Sequence, residues 1–200
     1  THPTLARLKI PEARLHFQKA VDRHSTAADV FFYLAHLESK AGAPADRIIA
    51  LLTRALEINP DYPGALSNLG IALFDQGKFE EALELYDRAV VLDDSFAQAH
   101  SNRGNALQRL KRFADAEPSY RRAIELMPSF ADAWNNLGTC LRELKRPEEA
   151  ETVYRKALEL GPNNPDTLDN LALALKDLDR LDEAAEMMRR ALVIEARRDK

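Results

Sequence analysis

The feature that most constrains the fold is an asparagine-led tripeptide that recurs every 34 residues. The copies are Asn-Leu-Gly at 68–70, Asn-Arg-Gly at 102–104, Asn-Leu-Gly at 136–138 and Asn-Leu-Ala at 170–172. A repeat of this length is one supersecondary unit that cannot bury its apolar face alone, so neighbouring copies must stack. Stacked copies form an elongated groove rather than a closed pocket. The sequence therefore predicts a binding scaffold.

Two stripes of side chains within each copy predict two helices. Positions are numbered here from the first residue of each copy, namely Asp29, Pro63, Ala97, Ala131 and Pro165. The first stripe has Phe32, Leu66, His100, Trp134 and Leu168 at position four, and Leu73, Leu107, Leu141 and Leu175 at position eleven. The second has Ile48, Ala82, Ala116, Ala150 and Ala184 at position 20, and Leu52, Tyr86, Tyr120, Tyr154 and Met188 at position 24. Small residues at positions eight, 20 and 27 let two backbones approach closely, so each copy is predicted to be a helix hairpin.

This pattern resembles the tetratricopeptide repeat family, whose signature residues are matched closely by Trp134, Leu137, Gly138, Ala150, Tyr154, Ala157 and Pro162. The resemblance implies an all-α fold, a right-handed α-solenoid (superhelix) of stacked helix-turn-helix repeats. It covers five repeats, at 29–62, 63–96, 97–130, 131–164 and 165–198. The first repeat departs most from the pattern, because His36 and Ser39 replace the usual small and large residues.

The two ends of the chain are predicted to be incomplete. The segment at 5–11 echoes the segment at 141–147, so residues 1–28 are interpreted as a partial N-terminal repeat or capping helix. Residues 11–24 would be its second helix, and residues 199–200 a tail. A bare solenoid end exposes apolar surface. We therefore expect either a longer native polypeptide or a homodimer through an uncapped end.

The family resemblance implies that positions two, five, six, nine, twelve and thirteen of each first helix point into the concave groove. An asparagine ladder then runs along the groove at position six: Asn68, Asn102, Asn136 and Asn170. Each carboxamide offers one acceptor and two N–H donors, so it can pair with the main chain of an extended peptide. The other predicted peptide-binding residues are Asn105, Asn135, Phe74, Arg109, Arg142, Asp169 and Lys176. Alternatively, the ladder asparagines bond to the neighbouring repeat and serve packing alone.

The remaining groove positions predict two zones of different polarity. The amino-terminal zone is apolar and contains Val30, Tyr33, Leu37, Ile71 and Phe74. The carboxy-terminal zone is polar and mostly acidic, with Asp132, Glu143, Asp166 and Asp177 beside the residues named above. A fitting ligand would be hydrophobic at one end and polar or basic at the other. Alternatively, Tyr33 and Leu37 pack under residues 1–28.

A narrower resemblance is carried by the run Ser-Phe-Ala-Asp-Ala-Trp-Asn-Asn-Leu-Gly at 129–138 and by Ala-His-Ser-Asn at 99–102. Both are similar to the repeats of O-linked N-acetylglucosamine transferases and Spindly-type glycosyltransferases. This resemblance implies a substrate-recognition arm whose catalytic domain would lie beyond Lys200. Three functions therefore stay open: a peptide-binding module, such a recognition arm, and a structural subunit that assembles with itself.

Composition narrows the classes of function. The net charge of −4 disfavours nucleic acid and anionic membranes as partners, and no apolar run approaches the length of a membrane span. The five histidines lack metal-ligand spacing and no glycine-rich phosphate loop occurs, so we predict no catalytic residue, metal or cofactor. The lone Cys140 is predicted to be a buried, inert thiol. A chain without disulfides is compatible with the cytoplasm, which is the predicted location.

Overall fold

The computed structural model describes residues 10–198, and these residues form eleven α-helices and no β-strand. This confirms the predicted all-α repeat fold. The helices are α1 (Ile10–Asp22), α2 (Ala28–Lys40), α3 (Ala45–Ile58), α4 (Pro63–Asp75), α5 (Phe79–Leu92), α6 (Ala97–Arg109), α7 (Phe113–Leu126), α8 (Ala131–Glu143), α9 (Pro147–Leu160), α10 (Pro165–Asp177) and α11 (Leu181–Arg198). Most of the partial helix predicted at 5–11, and the tail at 199–200, lie outside the described residues.

The chain divides into two compact units, with the boundary between Asp94 and Ser95. The N-terminal unit contains α1 to α5, and each of these helices packs against the next one along the chain. Its core is a cluster of small and large apolar side chains: Phe31, Ala35, Leu52, Ala55, Ala65 and Leu69. Alanines at the contact points let the helix backbones approach, and the larger residues fill the space beside them.

Helix α1 is attached to α2 by both an ion pair and a ring contact. The carboxylate of Glu38 is only 3% exposed and receives hydrogen bonds from Arg14 at 2.7 Å and from Arg47 at 3.1 Å. Two guanidinium groups compensate the burial of this charge, which would otherwise be costly. The rings of Phe17 and Tyr33 stack with centroids 5.8 Å apart. Tyr33, one of the predicted groove residues, is therefore partly covered by α1.

The C-terminal unit contains α6 to α11, and here too each helix packs against the next one. Helix α8 also contacts both α6 and α10, so the first helices of three successive hairpins lie side by side. Fully buried leucines and tyrosines fill the interior of this unit: Leu107, Tyr120, Leu137, Leu141, Tyr154, Leu168, Leu171 and Leu175.

Glycine at position eight allows a tyrosine from the second helix to lie directly against the first. A Cβ atom added at Gly138 would lie 2.5 Å from Cε1 of Tyr154, closer than carbon atoms can approach. The same close approach occurs between Gly104 and Tyr120 in the C-terminal unit and between Gly70 and Tyr86 in the N-terminal unit. The glycine–tyrosine pair therefore sets the spacing of the two helices in a hairpin.

A repeated ion-pair cluster links adjacent hairpins in the C-terminal unit. Glu117 of α7 receives hydrogen bonds at 2.7 Å from Arg121 in its own helix and from Arg146 just before α9. One repeat later, Glu151 is bonded in the same way by Arg155 at 2.8 Å and by Arg180 at 2.6 Å. Because each carboxylate joins two hairpins and is more than four-fifths buried, the cluster stabilises their stacking.

Candidate functional site

The asparagines at position six lie on the first helix of each hairpin. In the C-terminal unit Asn102 is on α6, Asn136 on α8 and Asn170 on α10. Since α8 packs against both of the other two helices, these three positions occupy neighbouring helices. The C-terminal unit therefore carries three of the four ladder asparagines.

Four carboxamides in this unit form a hydrogen-bonded network across the three helices. Nδ2 of Asn170 donates to Oδ1 of Asn135 at 3.1 Å, and Nδ2 of Asn136 donates to Oδ1 of Asn105 at 2.9 Å. A longer contact of 3.4 Å joins Nδ2 of Asn135 to Oδ1 of Asn136. This carboxamide network, defined as Asn105, Asn135, Asn136 and Asn170, links α10 to α8 and α8 to α6.

A buried tyrosine fixes one end of the carboxamide network. The hydroxyl of Tyr120 lies 2.9 Å from Oδ1 of Asn105 and 3.0 Å from Oε1 of Gln108. Burial raises the pKa of Tyr120 well above its ordinary value, so the phenol stays protonated and remains a donor. One end of the network is therefore hydrogen-bonded to Tyr120, a residue of the core of the C-terminal unit.

Asn102 differs from the other two ladder residues of this unit. It is only 8% exposed, and its Oδ1 lies 3.4 Å from Nε2 of Gln98 in the same helix. Its Nδ2 atom is buried and has no hydrogen-bond partner. A buried amide donor without a partner is unfavourable by about 1–3 kcal/mol. Asn102 is therefore a polar group with unused donor capacity next to the network.

The other predicted site residues of the C-terminal unit lie on the same three helices as the network. Arg142 is half-buried on α8, with its Nη2 atom 3.6 Å from Oε1 of Glu143. Arg109 on α6 and both Asp169 and Lys176 on α10 are exposed. Charged side chains are thus present on each of the three helices that carry the carboxamides.

The remaining two predicted site residues, Asn68 and Phe74, lie on α4 of the N-terminal unit. Phe74 is half-buried, and its ring contacts Phe79 edge-on with centroids 5.1 Å apart. Asn68 is half-buried and lines a cleft with residues of α2 and α3.

Two features of the site were not predicted from the sequence. Tyr120 was predicted as a core residue, and it is, but its hydroxyl also bonds to the network. The acceptor role of Asn105 and Asn135 toward the next repeat was also missed. Asn135 lies one position before the ladder residue Asn136, and Asn105 lies three positions after the ladder residue Asn102. These two positions do not hold asparagine in the other repeats, so the period of 34 residues does not point to them.

Within residues 10–198, no helix is long and apolar enough to cross a membrane. The same part of the chain contains no group of three or more His, Cys, Asp or Glu side chains arranged to hold a metal ion. The polar groups of the candidate site are therefore hydrogen-bonding carboxamides bordered by charges.

The helix hairpins and their glycine–tyrosine pairs define an α-helical repeat protein. Family models agree: tetratricopeptide repeat models match residues 101–165 and, in two copies, residues 51–84 and 153–186. A third model, described as TPR repeat, matches residues 70–111. Together these matches run from residue 51 to residue 186, so the chain is a tetratricopeptide repeat protein. They concern the repeats as such and give no support to the narrower resemblance to glycosyltransferase repeats.

Solved structures with the same fold include several repeat proteins. A crystal structure of MamA has 25% sequence identity and a TM-score of 0.74, over 83% of this chain and 96% of that one. MamA from Desulfovibrio magneticus RS-1 has 21% identity and a TM-score of 0.77, over 86% and 97% of the two chains. The TPR protein YrrB has 23% identity and a TM-score of 0.75, over 90% and 92%. No curated protein sequence shows significant similarity to the chain.

Proposed function

We propose that the chain is a protein-interaction module that holds an extended polypeptide by its main chain, with the ladder asparagines of the C-terminal unit as the contact groups. The observation that carries this proposal is the hydrogen-bonded network of half-buried carboxamides on three neighbouring helices. Such groups pair with backbone N–H and C=O groups whatever side chains the polypeptide has.

The ladder asparagines keep unused hydrogen-bonding capacity within the network. Nδ2 of Asn136 and Nδ2 of Asn170 each carry two hydrogens, and each donates one bond within the described residues. Nδ2 of Asn102 donates none. One donor each on Asn136 and Asn170 is therefore available to a ligand carbonyl, and the oxygens of these two residues retain lone pairs for a ligand N–H, whereas the Nδ2 atom of Asn102 is buried.

The bonds between repeats favour binding because they orient these groups in advance. A carboxamide that is free to rotate loses entropy when a ligand fixes it, and a carboxamide already held by its neighbour loses less. Asn136 is held by Asn105, which is held in turn by the buried Tyr120. Packing between repeats and ligand binding are therefore compatible roles for the same side chain.

The charges around the network favour a basic polypeptide. Asp132, Asp166, Asp169 and Asp177 are exposed on α8 and α10. Opposite charge on the ligand would increase the association rate and the affinity at low salt. The solved relative YrrB is described as a TPR protein with an unusual peptide-binding site, which agrees with a peptide ligand for this fold.

The proposal is tested with peptides selected from a displayed library of random sequences against the full chain. The variant Asn136→Ala/Asn170→Ala removes two contact groups. At about 0.5–1.5 kcal/mol each, the loss is about 1–3 kcal/mol, or about 5- to 150-fold in Kd. Fluorescence anisotropy measures Kd, and urea unfolding checks that the variant is folded.

A matched control separates binding from packing. Asn105→Ala/Asn135→Ala breaks the same two bonds between repeats but keeps both ladder amides. The control loses the orientation of the ladder amides but not the amides themselves, so we expect it to weaken peptide binding less than the ladder variant does, although its stability falls by a similar amount. Equal losses of affinity in both variants, or no loss in the ladder variant, would show that the asparagines serve packing alone.

A further inference from the structure

Helix α11 carries a stripe of exposed apolar side chains. Leu181, Met188 and Leu192 are 58%, 39% and 64% exposed, and the small Ala185 between them is exposed as well. The steps between these residues are four, three and four positions, which is the spacing of a heptad seam and places all of them on one face of the helix. An exposed apolar stripe of this kind favours association with a partner that covers it.

The corresponding face is covered in the two preceding hairpins. Ala185, Met188 and Leu192 occupy positions 21, 24 and 28, and the residues at these positions in α7 and α9 are buried or half-buried. Helix α7 packs against α8, and α9 packs against α10, which are the first helices of the hairpins that follow. Helix α11 packs against α10 through a different side, where Ala184 and Ala191 are buried. The stripe therefore has no cover from the described residues.

The stripe also lacks a polar group that the preceding hairpins use. Position 21 holds Glu117 in α7 and Glu151 in α9, and each accepts a hydrogen bond from an arginine of the next hairpin. Helix α11 has Ala185 there. It is 18 residues long, against 14 for α7 and for α9, so it extends the apolar face by about one turn. Within the C-terminal unit, this face is therefore suited to a long apolar helix rather than to another hairpin of the same kind.

A second copy of α11 fits this face when the two helices run in opposite directions. A two-fold axis then places Leu181 of each copy opposite Leu192 of the other, and Ala185 opposite Met188. Each methionine thus meets a small alanine, and each leucine meets a leucine. The side of α11 that packs against α10 lies more than a quarter of the helix circumference from the stripe, so each copy keeps its own α10.

The charges on α11 fit the same antiparallel arrangement. The first two turns are acidic and the later turns are mainly basic, with Glu195 as the exception: Asp182, Glu183 and Glu186 come first, then Arg189, Arg190 and Arg197. Asp182 and Arg189 are exposed on the same flank of the stripe, one residue after Leu181 and one after Met188. An antiparallel pair places Asp182 of each copy beside Arg189 of the other. A parallel pair would instead place like charges side by side.

We propose that the seam of α11, defined as Leu181, Ala185, Met188 and Leu192, joins two copies of the chain in an antiparallel dimer with two-fold symmetry. This inference goes beyond the proposed function, because peptide binding is assigned to α6, α8 and α10. A single pair of 18-residue helices buries less surface than the about 1,600 Å² of a standard interface, so the dimer is weak and reversible.

Sedimentation equilibrium of the full chain, from about 10 μM to about 1 mM, tests the dimer. We expect the average mass to rise from the 22.5 kDa of one chain toward twice that value and no further, since a two-fold contact closes on itself. Leu192→Gln places a polar group in the seam of both copies and should weaken association at least about tenfold. Val193→Gln is the matched control, because Val193 is equally exposed on the same helix but points away from the seam.

Charge reversal tests the direction of the two helices. In Asp182→Arg, and separately in Arg189→Asp, both ion pairs of the dimer become pairs of like charge. Each variant should therefore associate about 2- to 30-fold more weakly than the native chain at low salt. In a mixed dimer of the two variants, the two reversed residues face each other and the two native residues do too, so both ion pairs return. We expect an equimolar mixture to have a higher average mass than either variant alone.

The proposal is overturned if the native chain stays monomeric at about 1 mM, or if its mass grows beyond two chains. It is also overturned if Leu192→Gln associates as well as Val193→Gln, or if mixing the charge variants does not increase association. Peptide binding is measured separately, on the asparagine variants and at concentrations where the chain is monomeric. Failure of the dimer therefore leaves the proposed function standing, and failure of the ladder leaves the dimer standing.

Discussion

Replacing Gly138 by alanine tests how the helix hairpins are packed. The added Cβ would lie 2.5 Å from Cε1 of Tyr154 and 2.7 Å from both Cδ1 and Cζ. The ring has little freedom to move away, because Tyr154 is fully buried and its hydroxyl donates to Oγ1 of Thr139 at 3.1 Å. The methyl group must therefore displace a whole helix or force the tyrosine out of its rotamer.

Two effects of opposite sign set the size of the change. Overpacking in a filled core costs about 1–3 kcal/mol. Alanine in a helix interior is favoured over glycine by about 1 kcal/mol. Since three ring atoms lie below 3.0 Å from the new carbon, the packing cost belongs in the upper part of its range. We expect Gly138→Ala to lower the free energy of unfolding by about 1–2 kcal/mol.

Urea unfolding followed by circular dichroism measures this loss, and Gly161→Ala is the matched control. A Cβ at Gly161 meets only the carbonyl oxygen of Ala157, at an ordinary distance of 3.7 Å. We expect the control to lie within about 0.5 kcal/mol of the native chain. If Gly138→Ala is as stable as the control, the glycine–tyrosine contact does not set the helix spacing and the reasoning is wrong.

A second variant tests the same contact from the tyrosine side. In the last repeat the two positions hold Ala172 and Met188, so a side chain at position eight occurs together with a flexible residue at position 24. We therefore expect Tyr154→Met to recover part of the stability that Gly138→Ala removes. A double-mutant cycle should give a coupling energy of about 0.5–3 kcal/mol, and additive losses would contradict the proposed contact.

Two further predictions follow from ionisable groups. Partial burial acts to raise the pKa of Glu117, but hydrogen bonds from Arg121 and Arg146 lower it on balance. A lowered native pKa contributes stability that is present above the unfolded value of about 4.3 and is lost as pH falls through the native pKa. We therefore expect the urea midpoint to fall on acidification below about pH 4.5, and to fall less steeply in Glu117→Gln. Burial, together with the charge of Glu117, raises the pKa of the Cys140 thiol to about 11, so iodoacetamide at pH 8 should label the native chain far more slowly than the urea-unfolded chain.

The all-α repeat fold was predictable from the sequence because the same pattern of residues occurs separately in each repeat. Position 24 alone contributes three tyrosines, and position 27 holds alanine in all five repeats. The pattern did not identify most of the turn residues. The turns between paired helices need a left-handed residue, which is glycine in two repeats (Gly42 and Gly77) but Lys111, Lys145 and Asp179 in the other three, with φ near +60°. Glycine adopts positive φ readily and so indicates such a turn in a sequence, whereas lysine and aspartate do not.

The candidate site was predictable only as a set of positions. The period placed asparagines on successive first helices, but it did not indicate which atoms they contact. That Asn136 bonds to Asn105 and Asn170 to Asn135 depends on side-chain direction across two helices. The partners differ in register, by 31 residues in one case and by 35 in the other, so one repeat does not predict the contact of the next.

The residues at one position can be compared across the five repeats, so a repeat that departs from the shared pattern can be interpreted. Where tyrosine occupies position 24, position eight is glycine, and where tyrosine is absent, position eight carries a side chain: His36 in the first repeat and Ala172 in the last. In the last repeat position 24 holds Met188, which is 39% exposed, and in the first it holds Leu52, which is fully buried. In both repeats the residues at positions eight and 24 therefore change together, as the close contact between glycine and tyrosine in the middle repeats requires.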